Sequence, residues 1–311
     1  MIDTHYDLLS ISYVDYLNNN FDKIKKFTDE IREAQVNCVF ANLYFMSEEE
    51  MKYELHENYY DKNISVLDMF KTAKSVLEYY GTGIDFIYSI EGCDYIEKED
   101  LSNLYNEGLR SLLLVWNNEN KYGSGINTSK GLTLLGKDFL NEAINLNIGI
   151  DLSHANINTF NDIVSLIKES KKEVICYASH SNSRFLHDIS RNLTDSQILS
   201  LKEINAFIGV ISNIHFIKCN HLSSYEEKRK EYINHIKYIS DLIGVDKVML
   251  STDDMRFASD KKEEYLYRPI YKYKTIRKDI EEDLLKVFGV EDTNKILYKN
   301  ASSIVKKLKK W

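Results

Sequence analysis

The chain has 311 residues, of which 43% are hydrophobic and 28% are charged, with a formal net charge of −8. This size and composition are typical of a globular protein with a large core. Its positive charge is scattered, apart from Lys306, Lys307, Lys309 and Lys310 near the C-terminus. The charge pattern therefore excludes nucleic-acid binding as a main function.

The sequence predicts neither secretion nor membrane insertion. We expect no signal peptide, because a strand-like run begins almost at the first residue, and no apolar run approaches the ~20 residues that span a bilayer. The four cysteines are far apart and lack CxxC pairing, which is typical of buried, reduced thiols. We therefore expect a cytoplasmic protein that does not contact a membrane.

Apolar strand-like runs alternate with amphipathic helical patterns along the whole chain. The predicted strands are Ile2–Leu8, Asn37–Phe45, Asp85–Glu91, Ser111–Trp116, Gly149–His154, Val174–Ser179, Ala206–Ser212 and Lys247–Asp253. The helical patterns include Phe21–Ala34, Ile64–Tyr80, Gly136–Leu146, Phe160–Ser170, Asp195–Glu203, Glu226–Ile243 and Lys274–Trp311, the last with a break near Gly289. Eight such units predict an α/β protein with one (β/α)8 (TIM) barrel domain over residues 1–311.

Metal-ligating side chains stand at the carboxyl ends of five predicted strands. His5 and Asp7 lie two apart on the first strand, so both point to the same face. The complete set is His5, Asp7, Glu91, His154, His180 and Asp253. Barrel enzymes place their catalytic groups at this end, where such a set can hold two divalent ions that share one carboxylate. Mixed nitrogen and oxygen ligands favour zinc, and the predicted chemistry is amide hydrolysis.

Three short blocks carry a family resemblance: Gly149-Ile-Asp-Leu-Ser-His154, Ser179-His-Ser-Asn182 and Arg191-Asn-Leu-Thr-Asp195. Through them, and through the order of the ligands, the chain resembles the membrane (renal) dipeptidase family of the amidohydrolase superfamily. The resemblance runs from Ile2 to about Asp253, with a C-terminal tail around Asn300.

The resemblance implies a role for each ligand. His5 and Asp7 would bind the first zinc, Glu91 would bridge the two zincs, and His154 and His180 would bind the second. Asp253 would bind the first zinc and handle the proton of the bridging water. Arg191 would hold the terminal carboxylate of the substrate, which suits its forked guanidinium. Asp254 would replace Asp253 if the register of the last strand differed by one.

Two regions depart from the family pattern. Animal members carry a histidine after the fourth strand, where this chain has Trp116, and Asn117 is the candidate to supply a hydrogen-bond donor instead. The turns Glu91–Asp94 and Thr252–Arg256 lack glycines that relatives have, and Cys93 and Met255 stand there. These changes line the predicted pocket mouth and bear on which substrate is bound.

The remaining polar residues near the ligands have simpler interpretations. Ser153, Ser179 and Ser181 have no base placed to activate a serine, so we expect them to hydrogen-bond the ligands. His215 follows the seventh strand and is a candidate pocket residue. Ligand spacing is lacking for His56, His187, His221 and His235.

The resulting hypothesis is a cytoplasmic binuclear zinc dipeptidase that uses a metal-bridging hydroxide on a small dipeptide, and family analogy adds a homodimer. One alternative is a metal-dependent amidase acting on an N-acyl D-amino acid, a β-lactam or a pathway conjugate. The other is a metal-binding relative that no longer catalyses.

Overall fold

The computed structural model describes residues 1–45, 63–254 and 269–310. Eight parallel strands follow one another in chain order around a barrel. They are β1 (Ile2–Tyr6), β2 (Cys38–Tyr44), β3 (Asp85–Glu91), β4 (Leu109–Leu113), β5 (Gly149–Asp151), β6 (Cys176–Ala178), β7 (Phe207–Ile211) and β8 (Val248–Ser251). The predicted barrel and all eight predicted strands are confirmed, with boundaries that differ by a few residues.

Helices follow the strands and surround the barrel. They are α1 (Leu8–Leu17), α2 (Asp22–Glu33), α3 (Val66–Tyr80), α4 (Leu101–Asn106), α5 (Leu134–Asn145), α6 (Ile157–Glu169), α7 (Asp195–Glu203), α8 (Tyr225–Ile243), α9 (Ile276–Asn294) and α10 (Asn300–Leu308). The predicted break is confirmed, because Gly289 has a φ of 70° inside α9. None of the helices in the described ranges is long and apolar enough to cross a membrane.

Two helices were not predicted, and each has a physical reason. The strand prediction that ended at Leu8 was too long, because α1 begins there. Most of α1 is buried, so it lacks the polar face that gives a surface helix its 3.6-residue pattern. The second, α4, has only six residues, which is too short for periodicity to stand out.

The amino end of the barrel is closed by α10. Its residues Ile304 and Leu308 pack against Ile2, Phe40 and Met249 in one buried cluster. The side chains below the barrel therefore form core, and the polar residues collect at the opposite, carboxyl end. Burial of Cys38, Cys93 and Cys176 as free thiols agrees with the sequence expectation, whereas Cys219 is half-buried.

Side chains reinforce the seam where β1 meets β8. The Thr4 hydroxyl lies 3.0 Å from the Leu250 carbonyl oxygen and 2.7 Å from the Ser179 carbonyl oxygen. The buried Asp3 carboxylate accepts hydrogen bonds from the Thr252 amide (2.9 Å) and hydroxyl (2.6 Å). A Cβ at Gly209 would lie 1.9 Å from the Ser179 carbonyl oxygen, so the close approach of β7 requires a glycine.

Candidate metal centre

All six predicted ligands are buried and come together at the carboxyl end of the barrel. They form two groups whose ligand atoms lie within 4.8 Å of one another. We call His5, Asp7 and Asp253 the seam group, because they belong to the β1 and β8 ends of the sheet. We call Glu91, His154 and His180 the histidine group; these follow or end β3, β5 and β6.

Glu91 joins the two groups through its two carboxylate oxygens. Its Oε2 lies 2.9 Å from His5 Nε2, and its Oε1 lies 2.9 Å from His154 Nε2. In the seam group, His5 Nε2 lies 3.7 Å from both Asp7 Oδ1 and Asp253 Oδ1. In the histidine group, the Nε2 atoms of His154 and His180 lie 3.0 Å apart. One carboxylate therefore faces both sets of ligands.

Backbone conformation turns two of the ligands into the mouth. His154 and Asp253 have positive φ angles of 68° and 44°, a conformation that is uncommon outside glycine and often found at functional sites. The Asp253 amide donates to the His5 carbonyl oxygen at 3.1 Å, which fixes it beside β1. Asp254 instead accepts a hydrogen bond from the Tyr6 hydroxyl at 3.2 Å. The register therefore brings Asp253, not Asp254, to the ligand cluster.

Without a cation, the ionised forms of the buried carboxylates in this cluster are electrostatically unfavourable. Burial raises the pKa of Asp7 well above its usual value and that of Asp253 to about 6, and the neighbouring Glu91 charge adds to both. Burial acts on Glu91 in the same sense, but His5 and His154 lower its pKa overall. Asp7 Oδ1 is buried without a hydrogen-bond partner in the described residues. Buried carboxylates and an orphaned oxygen of this kind are suited to divalent cations.

The histidines divide by charge. Burial lowers the pKa of His5, but Glu91 and Asp253 offset this and raise it to about 10. Burial and the Arg191 charge lower the pKa of His154 to about 4, and burial with His5 lowers that of His180 well below its usual value. The histidine group thus has neutral imidazoles, the form that binds metals. The donor set of both groups fits borderline divalent ions such as zinc.

Polar neighbours outside the two groups hold the imidazole rings. Asn117 Oδ1 lies 2.8 Å from His154 Nδ1, so this asparagine orients a ligand rather than pointing a free oxygen into the pocket. Asn42 Nδ2 lies 2.9 Å from His5 Nδ1. Asp151 is buried within reach of His5 and His180. Sequence reasoning did not single out Asn42 or Asp151; their only signal is a polar side chain inside an otherwise apolar strand.

The predicted substrate-binding residues lie beside the histidine group. Arg191 is 8% exposed, donates from Nη2 to the His180 carbonyl oxygen at 3.2 Å, and keeps Nε without a partner in the described residues. Burial lowers its pKa to about 10. The guanidinium carbon lies 5.5 Å from the Phe216 ring centroid. Trp116 is half-buried, with ring centroids 5.0 Å from Tyr44 and 6.1 Å from His154.

The remaining predictions have mixed outcomes. His215 lies in a short 3-10 turn with an exposed side chain, so it does not belong to either ligand group. His187, His221 and His235 also stand apart from the groups. His56 and Met255 lie outside the described residues.

The barrel and its two ligand groups define a class of (β/α)8 protein with side chains that could hold metal at the carboxyl ends of its strands. A family model described as "Membrane dipeptidase (Peptidase family M19)" matches residues 1–310. The chain therefore belongs to this family, as the sequence resemblance indicated.

Solved structures agree on the fold. The metallopeptidase from Rhodobacter sphaeroides liganded with a phosphinate mimic of L-Ala-D-Ala has a TM-score of 0.77 and 19% identity, over 99% of this chain and 98% of that one. An amidohydrolase from Pseudomonas aeruginosa has a TM-score of 0.71 and 17% identity, over 99% and 95% of the two chains. At these identities the likeness concerns the barrel.

Curated relatives match over part of their length. "Uncharacterized protein in PQQ-III 3'region" from Acinetobacter calcoaceticus is 29% identical over 168 residues, covering 51% of this chain and 52% of the relative. "Dipeptidase verJ" from Clonostachys rogersoniana is 26% identical over 232 residues, covering 72% of this chain and 55% of the relative. The chain thus spans about half the length of these relatives.

Proposed function

We propose that this protein is a metal-dependent hydrolase, a binuclear zinc dipeptidase that cleaves the peptide bond of dipeptides. The observation that carries the proposal is Glu91, whose two oxygens each lie 2.9 Å from the Nε2 atom of a different histidine, His5 and His154. A buried carboxylate shared between two ligand groups is the arrangement that a pair of divalent ions requires. Membership of the membrane dipeptidase family supports it.

The seam group with one Glu91 oxygen would hold one ion, and the histidine group with the other oxygen would hold the second. Bound at these positions, such ions would supply an acidified water and polarisation of the scissile carbonyl, the chemistry that amide hydrolysis needs. The chain buries the site, since the exposed fraction of every ligand residue is 8% or less. Low local polarity strengthens each charge interaction at the site.

Asp253 is the candidate general base and acid. It is the carboxylate ligand whose backbone has a positive φ, and its Oδ1 lies 3.7 Å from His5 Nε2. In this role the carboxylate takes the proton of the attacking water and passes it to the leaving amine. A carboxylate fixed by the β1–β8 seam can serve both steps without moving.

Arg191 is the candidate partner of the substrate's terminal carboxylate. It is a buried guanidinium beside the histidine group with a donor, Nε, that no described residue uses. A carboxylate accepts two parallel hydrogen bonds from such a fork. A fixed distance between this fork and the scissile bond selects dipeptides, because a longer peptide carries its carboxylate farther away. Trp116 walls the pocket beside His154, and Asn117 holds that histidine in place.

The test is a panel of L,L and L,D dipeptides with protein loaded with zinc, beside a chelated sample and with bound metal measured by elemental analysis. L-Ala-D-Ala belongs in the panel because the Rhodobacter sphaeroides metallopeptidase was solved with a mimic of it. We expect cleavage that disappears on chelation and returns with zinc, at two zincs per chain. Failure to bind metal contradicts the site assignment.

A different amide is the second candidate, and it is favoured by Trp116 beside His154, where the family pattern differs. Cys93, which the sequence placed at the pocket mouth, is instead buried in the hydrophobic core. N-acyl D-amino acids, a β-lactam and C-terminal amides of larger acids extend the same panel. Two bound zincs with no cleavage of any dipeptide would direct the search to these substrates. Two bound zincs with no cleavage of any amide would favour the alternative of a metal-binding relative that does not catalyse.

We also propose a single domain, a homodimer and a cytoplasmic location. Light scattering of the purified chain and fractionation of cells test the last two directly.

A further inference from the structure

A long loop carries the two pocket residues Trp116 and Asn117. It runs over residues 114–133, between β4 and α5, and we call it the β4 loop. Loops of this length without a helix or strand of their own are uncommon in compact domains and are usually functional. Asn117 Oδ1 lies 2.8 Å from His154 Nδ1, and the Trp116 ring lies beside the same histidine. The fold of this loop therefore decides how one candidate ligand is held and where the pocket wall stands.

The β4 loop folds back on itself, so its second arm supports its first. The Asn127 amide donates to the Asn117 carbonyl oxygen at 2.8 Å, and the Gly125 amide donates to the Asn118 carbonyl oxygen at 2.9 Å. The two arms lie so close that a Cβ at Gly125 would be 1.9 Å from the Trp116 carbonyl oxygen. A displacement of the second arm would therefore also move Trp116 and Asn117.

One side chain, that of Asn156, holds the second arm. Asn156 is buried and lies two residues beyond His154. Its Nδ2 donates to the carbonyl oxygens of Thr128 at 2.7 Å and of Lys130 at 2.8 Å. A side-chain amide nitrogen has two hydrogens, so both are used on the loop. The backbone amide of Asn156 also donates to the Ser124 carbonyl oxygen at 3.2 Å. A single residue thus fastens the β4 loop beside the end of β5.

The side-chain oxygen of Asn156 has a separate role. Its Oδ1 accepts a hydrogen bond from the Thr159 amide at 2.8 Å and so caps α6. Serine and aspartate cap helices about as well as asparagine, but neither has the two amide hydrogens. The cap alone would therefore accept several residue types, whereas the cap and the two loop carbonyls together call for a side-chain amide.

We propose that Asn156 is a positioning residue for the pocket: its side-chain amide holds the β4 loop in the fold that presents Asn117 to His154 and Trp116 to the substrate. This inference rests on the proposed function, because Asn117 and Trp116 act there through metal and substrate binding. It adds that the His154 side of the pocket is controlled by a residue outside both ligand groups.

The first measurement follows the loop without metal or substrate. Trp116 and Trp311 are the two tryptophans of the chain, so a Trp311→Phe background leaves Trp116 as the single indole. Asn156→Ser keeps a cap for α6 and removes both donors to the loop. We expect acrylamide to quench Trp116 fluorescence more strongly in Asn156→Ser than in its parent, because the released loop exposes this half-buried ring further. Circular dichroism should be unchanged.

Asn158→Ser is the matched control. The Asn158 Nδ2 also donates to the β4 loop, to the Ser129 carbonyl oxygen at 2.6 Å, but from an exposed position. Water replaces a hydrogen bond at the surface at little cost, so we expect the quenching of the parent. Asn156→Asp keeps the shape and the cap and loses the same two donors. It should be quenched at least as strongly as Asn156→Ser, and it repeats the test if the serine variant does not fold.

The second measurement asks whether Asn156 acts through Asn117. Competition with a chromophoric chelator gives the zinc affinity of wild type, Asn156→Ser, Asn117→Ala and the double variant. We expect about 10-fold weaker zinc binding in Asn156→Ser, at the lower end for a lost partner of a ligand histidine. In the Asn117→Ala background the same substitution should change the affinity much less, because the contact that it positions is already gone. In the zinc-loaded protein, KM for dipeptides should also rise in Asn156→Ser, since Trp116 walls the pocket.

The outcomes distinguish this inference from the proposed function. Wild-type quenching and zinc affinity in Asn156→Ser would overturn the positioning role and leave the dipeptidase proposal standing. Equal losses of zinc affinity from this substitution with and without Asn117 would show general damage and also overturn it. Stronger quenching and weaker zinc binding in a protein that cleaves no dipeptide would support the positioning role and contradict the dipeptidase reaction. A wild type that binds no zinc contradicts the proposed function, and stronger quenching in metal-free Asn156→Ser would still support the hold of Asn156 on the loop.

Discussion

The seam group and the histidine group meet at Glu91 but are built in different ways. In the seam group two carboxylates accompany one histidine, and burial together with Glu91 raises the pKa values of Asp7 and Asp253. In the histidine group two neutral imidazoles accompany one shared carboxylate. The seam group therefore holds the two carboxylates whose ionised form burial opposes, and it gains more from a bound cation.

The two groups also differ in what holds them. The seam group depends on hydrogen bonds between the first and last strands, such as those from Thr252 to Asp3. The histidine group depends on loops after adjacent strands, where Asn117 and Ser179 fix the rings. One half of the site is thus coupled to closure of the barrel and the other to local loop structure. Substitutions in one group should therefore affect that half of the site more than the other.

Replacement of the shared ligand should have the largest effect. We expect Glu91→Gln to bind neither zinc tightly and to lower kcat/KM at least about 1,000-fold, because several kcal/mol of metal-based stabilisation are lost. Asp7→Asn, a change confined to the seam group, should keep one zinc. Elemental analysis after gel filtration counts the metal, with Glu107→Gln on the surface as control. Two zincs retained in Glu91→Gln would show that the groups are independent.

Arg191 tests whether the substrate lies on the histidine side. Its guanidinium donates to the His180 carbonyl oxygen, so Arg191→Ala removes a buried cation next to that group. We expect kcat/KM on dipeptides to fall by about 100-fold, mostly through KM, which corresponds to loss of a buried charge-assisted contact. Zinc content should stay at the wild-type value. Arg191→Ala with unchanged dipeptide activity would falsify the role in carboxylate binding.

Tyr273 tests whether hydrogen bonds at the β1–β8 seam stabilise the fold. Its hydroxyl donates to Asp3 Oδ2 at 2.9 Å, which ties the C-terminal segment to β1. Tyr273→Phe should lower the free energy of unfolding by about 1.5–3 kcal/mol, the usual effect for a hydrogen bond to a charged group. Urea unfolding measures it, and Tyr79→Phe, whose side chain is 77% exposed, is the control. Equal free energies of unfolding for the two variants would show that the hydrogen bond from Tyr273 to Asp3 does not stabilise the seam.

The sequence was sufficient to predict the barrel and the meeting of the six candidate ligand residues at its carboxyl end. Alternation of apolar strands with helices sets the topology, and in a parallel barrel every strand's carboxyl end faces one mouth, so His5 and Asp253 could be related without knowing any contact. Ser179 was expected to contact a ligand, and its hydroxyl lies 2.6 Å from His180 Nδ1, but the other polar residues that support the site could not be found in this way. Asn42, Asp151 and Asp3 sit inside strands, and their roles depend on which side chains meet across the barrel interior.

A histidine remote from both groups offers a last, smaller test. His235 is fully buried on α8, and its Nδ1 accepts a hydrogen bond from the Ser183 amide at 3.1 Å. Burial, with a smaller contribution from His187, lowers its pKa to about 3 from a usual value of 6.5. The folded state therefore binds fewer protons than the unfolded state below pH 6.5, so its stability falls as the pH drops toward 3.

At pH 5 this one group should cost about 2 kcal/mol relative to pH 7, from the 1.5 pH units below its usual pKa at 1.36 kcal/mol per unit. His235→Asn keeps an acceptor for the Ser183 amide and removes the titration, so it should lose about 2 kcal/mol less than wild type over this range. Urea unfolding of the metal-free proteins at both pH values measures the difference, beside His221→Asn at an exposed position. Identical pH dependence in wild type and His235→Asn would contradict this role of His235 and assign the acid sensitivity of the fold to other titratable groups, such as the buried Asp3, which titrate in both proteins.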